Sequence, residues 1–382
     1  LELSNKINTI AAYNFYNCSS LESLTIPDSV KTIGPYAFQG CKNLENLKIG
    51  NGVTSIGTGA FYGCTKLLVT VAESNPKYKT IGNALCTSNG DRIIQIFRGS
   101  DLTEYSIPEG VKYLDNVFST CTNLEKIVIP STLKEANGAI FTPLRNLSNI
   151  EVNSGNENFY SDGKALYNYE KTSIIRYYAQ DISYTVLDTV TILEESCFDQ
   201  NTNIRNLVLP DNLVEIKKLA FRSVLLSNIK LGAKVEKMNG MSIYGIYETT
   251  KITIDSANPY FIIEGDMLFN IDKTKLVKML KRKETVDIPN SVTEICNYAF
   301  HGDTILKKIN IPNSVVKIGM SFQFCTSIET IEIPNSVQEI DEHCFTETKI
   351  KAIIVHKEKG SIAKAPWGQS SGIKVVEWIG NE

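Results

Sequence analysis

The sequence predicts a mostly-β repeat solenoid, right-handed and curved, made of stacked parallel strands with short helical turns and three longer units that contain hairpins. Three observations predict it. Shifted by 23 residues, the chain matches itself in the pattern L-x-x-L-x-I-P-x-S-V-x-x-I-G-x-x-A-F-x-x-C, clearest from Leu21 to Cys41. The aromatic of that pattern recurs at Phe15, Phe38, Phe61, Phe118, Phe141, Phe198, Phe221, Tyr244, Phe300, Phe322 and Phe345, with gaps of 22–23 or 56–57 residues. The third observation is a Pro-x-Ser/Asn-Val/Leu element that keeps the same phase at Pro27, Pro130, Pro210, Pro289, Pro312 and Pro334, with Pro108-Glu109-Gly110-Val111 as a variant.

Each part of the unit has a physical reading. The L-x-x-L-x-I stretch alternates with the period of a strand and supplies Leu24/Ile26, Leu47/Ile49, Ile127/Ile129, Leu207/Leu209, Ile309/Ile311 and Ile331/Ile333 to one ladder. A unit this short cannot bury its own apolar face, so copies must stack. Proline lacks the donor needed to continue a ladder and closes each strand. Val30 and Ile33, with their equivalents, cover the return side. The Ala-Phe-x-x-Cys element is expected as a helical half-turn whose Phe is buried between coils, with the two residues after it (Gln39-Gly40, Tyr62-Gly63, Ser119-Thr120) facing solvent.

The long gaps insert about 34 residues each, at Asn75 to Phe97, Asn156 to Tyr178 and Asn258 to Leu280. Two apolar runs flank a polar turn in every copy, which is hairpin grammar. The solenoid is therefore assigned to residues 1–349, with long units near 68–107, 148–187 and 251–288. Leu1 and Leu3 align with Leu24 and Ile26 and are expected to begin inside a strand. Residues 350–382 lose the pattern, gain both tryptophans, Trp367 and Trp378, and are read as a last strand with a C-terminal cap.

Composition narrows the function. In 382 residues, hydrophobic side chains make up 42% and charged ones 21%, as in chains that bury a core. The 39 Lys and Arg against 42 Asp and Glu give a formal charge of −3, which supplies no overall basic field for nucleic acid. No run of some eighteen apolar residues is present, so no membrane insertion is expected in this segment, and the first residues carry no signal-peptide pattern. The solenoid is expected to be a monomer.

These motifs resemble the BspA-like leucine-rich repeat family, found in surface proteins of host-associated bacteria and some parasitic protists. The likeness spans nearly the whole chain. It includes the 23-residue unit and the long variant, clearest at Asn258-Pro259-Tyr260 and Leu268-Phe269-Asn270. The resemblance implies an extracellular or cell-surface module for adhesion or recognition, with its signal or anchor outside the visible chain.

Candidate chemistry is sparse. No phosphate loop, dinucleotide fingerprint, nucleophile elbow or zinc-type Cys/His spacing occurs, so no catalytic residue, metal or cofactor is assigned. Five of nine cysteines (Cys18, Cys41, Cys64, Cys121, Cys325) fall three residues after an anchor Phe and are read as buried free thiols. His301, His343 and His356 are read as surface or edge residues. Asp266, Asn270 and Asp272 surround a turn, where turn chemistry explains them more simply than Ca²⁺.

The candidate binding surface is the outward row of the strands. It comprises Ser23, Thr25, Asn46, Lys48, Lys126, Val128, Asn149, Glu151, Asn206, Val208, Lys308, Asn310, Thr330 and Glu332. A protein partner, from the host or the extracellular matrix, is expected there. A second candidate is the basic run Lys273, Lys275, Lys278, Lys281, Arg282 and Lys283 on the third hairpin, suited to a sulfated glycan or an acidic protein surface. Tyr160, Tyr167, Tyr169, Tyr177 and Tyr178 are read as packing residues, with sugar stacking as the alternative. A spacer role in the cell envelope is the alternative to recognition.

Overall fold

The computed structural model describes residues 1–115, 117–246, 249–368 and 375–380. Its contacts gather into two compact units, one of Leu1–Gln180 with Ser196–Gln200 and one of Asp181–Glu195 with Asn201–Glu382. Both units are mostly-β stacks of coils. Among the described residues helix is confined to two short 3-10 segments, Gly99–Asp101 and Gly138–Phe141.

In the first unit Ser23–Ile26, Asn46–Ile49 and Leu68–Val71 form one parallel sheet, and Glu104–Ser106, Lys126–Ile129 and Asn149–Val152 form another. In the second, Ser183–Thr185, Asn206–Val208, Asn228–Leu231 and Lys251–Ile254 do the same, as do Thr285–Asp287 with Lys308–Asn310. Register follows the repeat: Leu24 pairs with Leu47 and Ile26 with Ile49. Every inward residue of these four is buried, leaving Ser23, Thr25, Asn46 and Lys48 outside. Proline ends the strands as expected and also shapes the corner. The carbonyls of Pro27, Pro108, Pro130, Pro210, Pro289, Pro312 and Pro334 each accept from the amide three residues on, at 3.0–3.4 Å. A β-turn thus follows each strand.

The anchor rings stack across coils, at 5.0 Å for Phe15 and Phe38, 5.9 Å for Phe38 and Phe61, 5.1 Å for Phe300 and Phe322, and 5.8 Å for Phe322 and Phe345. All of them are buried except Phe15, which is half-buried. At most anchors the expected helical half-turn is instead a pair of turns laced to the next coil, whereas at Phe141 it forms, as the 3-10 segment Gly138–Phe141. Phe15 N donates to Ala37 O and Asn17 N to Gln39 O, both at 2.8 Å; Phe38 N then donates to Ala60 O at 2.8 Å and Gly40 N to Tyr62 O at 2.9 Å. Sideways bonding of alternate amides prevents a helical ladder. Left-handed residues accompany it two before and two after the ring at Tyr13 and Asn17 and at Tyr298 and Gly302. Glycine recurs at the second of these places because it adopts that conformation without the Cβ penalty. The same close stacking explains why Gln39, Gly40, Gly63, Ser119 and Thr120 are half-buried and only Tyr62 is exposed.

Three other expectations change. Leu1 and Leu3 enter no strand; Leu1 is 75% exposed, and the first regular pairing is Thr9–Ile10 with Thr32–Ile33. In the coil after Phe221 the fully packed side chain is Ile243, while Tyr244 is half-buried. Ile243 follows Phe221 by 22 residues, and Gly245 two places on is left-handed, so the coil is a residue short and the Tyr ring is displaced from the core. Beyond residue 350, Trp367 follows Phe345 by 22 residues and is fully buried, and Val375–Trp378 pairs in parallel with Ala352–Val355, so this segment adds a further coil.

Each long unit is a three-stranded antiparallel meander: Tyr78–Ile81, Ala84–Thr87, Arg92–Ile96; Phe159–Ser161, Ala165–Asn168, Ser173–Tyr177; and Phe261–Glu264, Met267–Asn270, Lys275–Met279. The third strand of the first and last rejoins the solenoid by pairing in parallel with Tyr113–Leu114 and Glu294–Ile295. Entry to each meander is governed by one buried asparagine. Asn156 Nδ2 donates to Pro130 O at 2.7 Å and Leu133 O at 3.2 Å, and its Oδ1 accepts from Asn158 N and Phe159 N, both at 2.8 Å. Asn75 and Asn258 make the same four bonds.

Two stability outcomes follow from this packing. Phe198→Ala is expected to lose about 3–5 kcal/mol and Phe15→Ala distinctly less, because only Phe198 is fully enclosed. Thermal melts decide it, and equal shifts would mean that the ring ladder is not the core. Asn156→Asp keeps the acceptor but turns the two carbonyl-facing donors into a carboxylate oxygen. It is expected to cost at least about 2 kcal/mol by denaturant titration, and an unchanged midpoint would refute the role given to that amide.

Candidate functional site

Alternation along the strands decides which side chains are available. Ser23, Thr25, Asn46, Lys48, Asn206, Val208, Lys308, Asn310, Thr330, Glu332 and Glu151 are exposed, and Lys126, Val128 and Asn149 are half-buried. Two recesses lie on this face, one per unit. In the first unit a recess of about 550 Å³ is lined by Ser23, Thr25, Asn46, Lys48 and Thr70, with Leu1 and Leu3 along its side. In the second, one of about 1170 Å³ is lined by Lys308, Asn310, Thr330, Glu332, Lys349 and His356.

Neighbouring rungs sit one strand spacing apart, so outward side chains pair across them. Lys126 Nζ lies 3.3 Å from Glu104 and 3.1 Å from Glu151, and these two carboxylates, Glu151 first, raise its pKa. Asn206 Nδ2 donates to Ser183 Oγ at 3.1 Å, Asn310 to Asp287, and Lys230 meets Asp255 at 2.7 Å. The face is a mixed polar sheet, with hydrogen-bonding groups held in fixed register. No outward position on these strands carries an aromatic ring.

The basic run is dispersed. Lys273 pairs with Glu264, Lys275 with Glu294 at 2.8 Å, and Lys281 and Lys283 both reach Asp266, at 3.6 and 2.7 Å. Lys278 points inward, only 9% exposed, with its Nζ 3.0 Å from Tyr298 O. Asp266 is thus committed to lysines, while Asn270 holds its turn by accepting from Lys275 N and donating to Thr274 Oγ1. Among the described residues no three His, Cys, Asp or Glu side chains gather as a metal site. Tyr167, Tyr177 and Tyr178 are core residues; Tyr160 is half-buried under Lys171 Nζ, 3.8 Å from its ring centre, and Tyr169 is exposed.

The nine cysteines are free thiols, seven of them buried. Their phase gives them a partner: Cys41 Sγ lies 3.0 Å from Phe15 O, Cys64 Sγ 3.0 Å from Phe38 O and Cys325 Sγ 3.1 Å from Phe300 O. Burial pushes the Cys64, Cys121 and Cys325 thiols up to about 12, so they stay protonated at neutral pH. His343 and His356 lie at the surface beside Glu342 and Glu332, but His301 is half-buried with its Nδ1 enclosed and without a hydrogen-bond partner. Sequence reasoning missed that setting. Its one trace was Lys278, a charged residue within the apolar run Leu276–Met279, next to the irregular coil at Tyr244.

Parallel coils with strands on one side and ring-anchored turns on the other define a leucine-rich repeat solenoid. The family model described as "BspA type Leucine rich repeat region (6 copies)" matches residues 1–90, 93–180, 177–281 and 280–374, and the chain belongs to that family. Similar solved structures include a leucine-rich repeat protein from Eubacterium ventriosum, 20% identical over 86% of this chain and 82% of that one, with a TM-score of 0.45. A leucine rich cell surface protein from Faecalibacterium prausnitzii is 18% identical over 98% and 84%, with a TM-score of 0.37. The pneumococcal vaccine antigen PcpA is 17% identical over 98% and 74%, with a TM-score of 0.31. No curated protein sequence matches the chain.

Thiol accessibility tests the packing of the turn edge. Ellman's reagent is expected to titrate half-buried Cys18 first and to leave Cys41, Cys64, Cys121, Cys325 and Cys344 unreacted until denaturant is added. Rapid reaction of more than two thiols in the native protein would contradict it.

Proposed function

We propose that this chain is a non-enzymatic recognition module, displayed at the cell surface, that binds a host or matrix protein on its strand face. One observation supports this reading most: in each unit an open recess falls on that face, lined by outward residues of stacked strands. A surface of fixed polar groups at regular spacing gives many weak, oriented contacts, and solenoids present such surfaces to extended partners. Surface display is what the family resemblance implies. The pairing of Lys273, Lys275, Lys281 and Lys283 with carboxylates leaves the third hairpin less suited to an acidic glycan than its composition suggested.

The test is a binding screen of the purified chain against extracellular matrix proteins and glycans, repeated with Lys308→Ala/Thr330→Ala and Asn46→Ala/Lys48→Ala. At least one of these pairs is expected to weaken a protein partner roughly tenfold, about 1.4 kcal/mol, while Lys273→Ala on the hairpin leaves it unchanged. A partner indifferent to both face pairs would remove the strand face from the proposal. A chain that binds none of the panel would favour the spacer role.

A further inference from the structure

Lys278 stands apart from the other lysines of its hairpin. They reach carboxylates at the surface, whereas its ammonium is drawn into the second unit and lies 3.0 Å from the Tyr298 carbonyl oxygen and 5.7 Å from the centre of the Tyr244 ring. It lines a cavity of about 240 Å³ whose wall also includes Tyr244, His301, Asp303 and the aliphatic Ile243. The Tyr244 and His301 rings meet edge to face at 4.8 Å, and Tyr298 and Phe324 pack against the same imidazole at 5.7 and 5.3 Å. Asp303 is occupied in capping its own loop, accepting from Ile305 N and Leu306 N at 3.0 Å. Arg222 and Arg282 also border the cavity, and Cys325 lies near enough to be felt by the lysine.

We propose that Lys278 is a covalent capture site, its amine in the wall of this cavity taking small aldehydes as imines. As a neutral amine, Nζ can keep one N–H on the Tyr298 carbonyl and direct its lone pair at a carbonyl carbon. The new C–N bond first gives a carbinolamine; loss of its hydroxyl as water, with the nitrogen proton, leaves C=N. No oxidant or reductant is consumed. Burial supports the step by pushing Lys278 down to about 8, and burial together with the Lys278 charge holds His301 down at about 4, so the imidazole is neutral at pH 7. At that pH the free-amine fraction exceeds that of an ordinary lysine by roughly two hundredfold. The cavity, of about 240 Å³, has room for a small aldehyde beside the amine.

The full chain is treated with propanal and sodium cyanoborohydride at pH 7, and the propylated lysines are mapped by peptide mass spectrometry at low conversion. Lys278 is expected to be modified at least about tenfold faster than exposed Lys42 or Lys48, since access offsets part of the two hundredfold. Lys278→Arg removes the fast product and leaves surface labelling intact. If Lys278 in the native wild-type chain reacts no faster than the surface lysines, the assignment fails whether or not the variant folds.

Discussion

The height of one coil is the constraint on which everything else depends. Parallel strands hydrogen-bond at about 4.8 Å, and the turn at the opposite edge has to keep the same step, because Phe15, Asn17, Phe38 and Gly40 send their amides to the next coil just as the strands do. An anchor ring matches that step when it lies flat on its neighbour, and the stacked pairs of the described residues sit 5.0–6.1 Å apart. Where the turn bonds sideways in this way it carries no helix and has left-handed residues beside the ring, while Phe141 ends a short 3-10 segment instead. The thiol three residues later donates to the carbonyl of the preceding anchor, so even the cysteine phase follows from coil height.

The long units break the step without ending the stack. A meander needs antiparallel partners, and the chain must leave the parallel ladder to make them. Asn75, Asn156 and Asn258 bridge that change, each joining two carbonyls of the preceding coil to the first two amides of the meander. A buried amide with all four capacities satisfied is favourable, and one with fewer leaves polar atoms stranded. The cation at the third meander strand plays a related part: Arg176 reaches Ser196 O at 3.1 Å and Lys278 reaches Tyr298 O, both carbonyls of left-handed residues two before an anchor.

Function divides along the same geometry. Among the described residues the outward strand positions carry mostly polar groups in register and no aromatic ring, an arrangement suited to recognition by hydrogen bonds and charge spread over many rungs. The turn side holds the stacked anchor rings, and where one coil is short beside Tyr244 it opens a small cavity instead of a broad face. An extended macromolecule suits the first arrangement and a small molecule the second.

Phase along the chain is what the sequence by itself determined. The 23-residue period placed the strands, the anchor rings, the prolines, the thiols and the outward row, because stacking allows each position of the unit one environment and repetition makes that environment visible. Where a residue acts through a partner in another coil, phase alone was silent. The first strand of each meander was missed because its sequence does not alternate cleanly, and Asn75, Asn156 and Asn258 marked the insert without disclosing the carbonyls they bind. The six basic residues of the third hairpin, Lys278 among them, looked equivalent in a row of charges. Only the tertiary structure distinguished them, since a lysine's ionisation and reach depend on whether a carboxylate or a carbonyl inside a cavity lies opposite, and that is set by the coil stacked beside it.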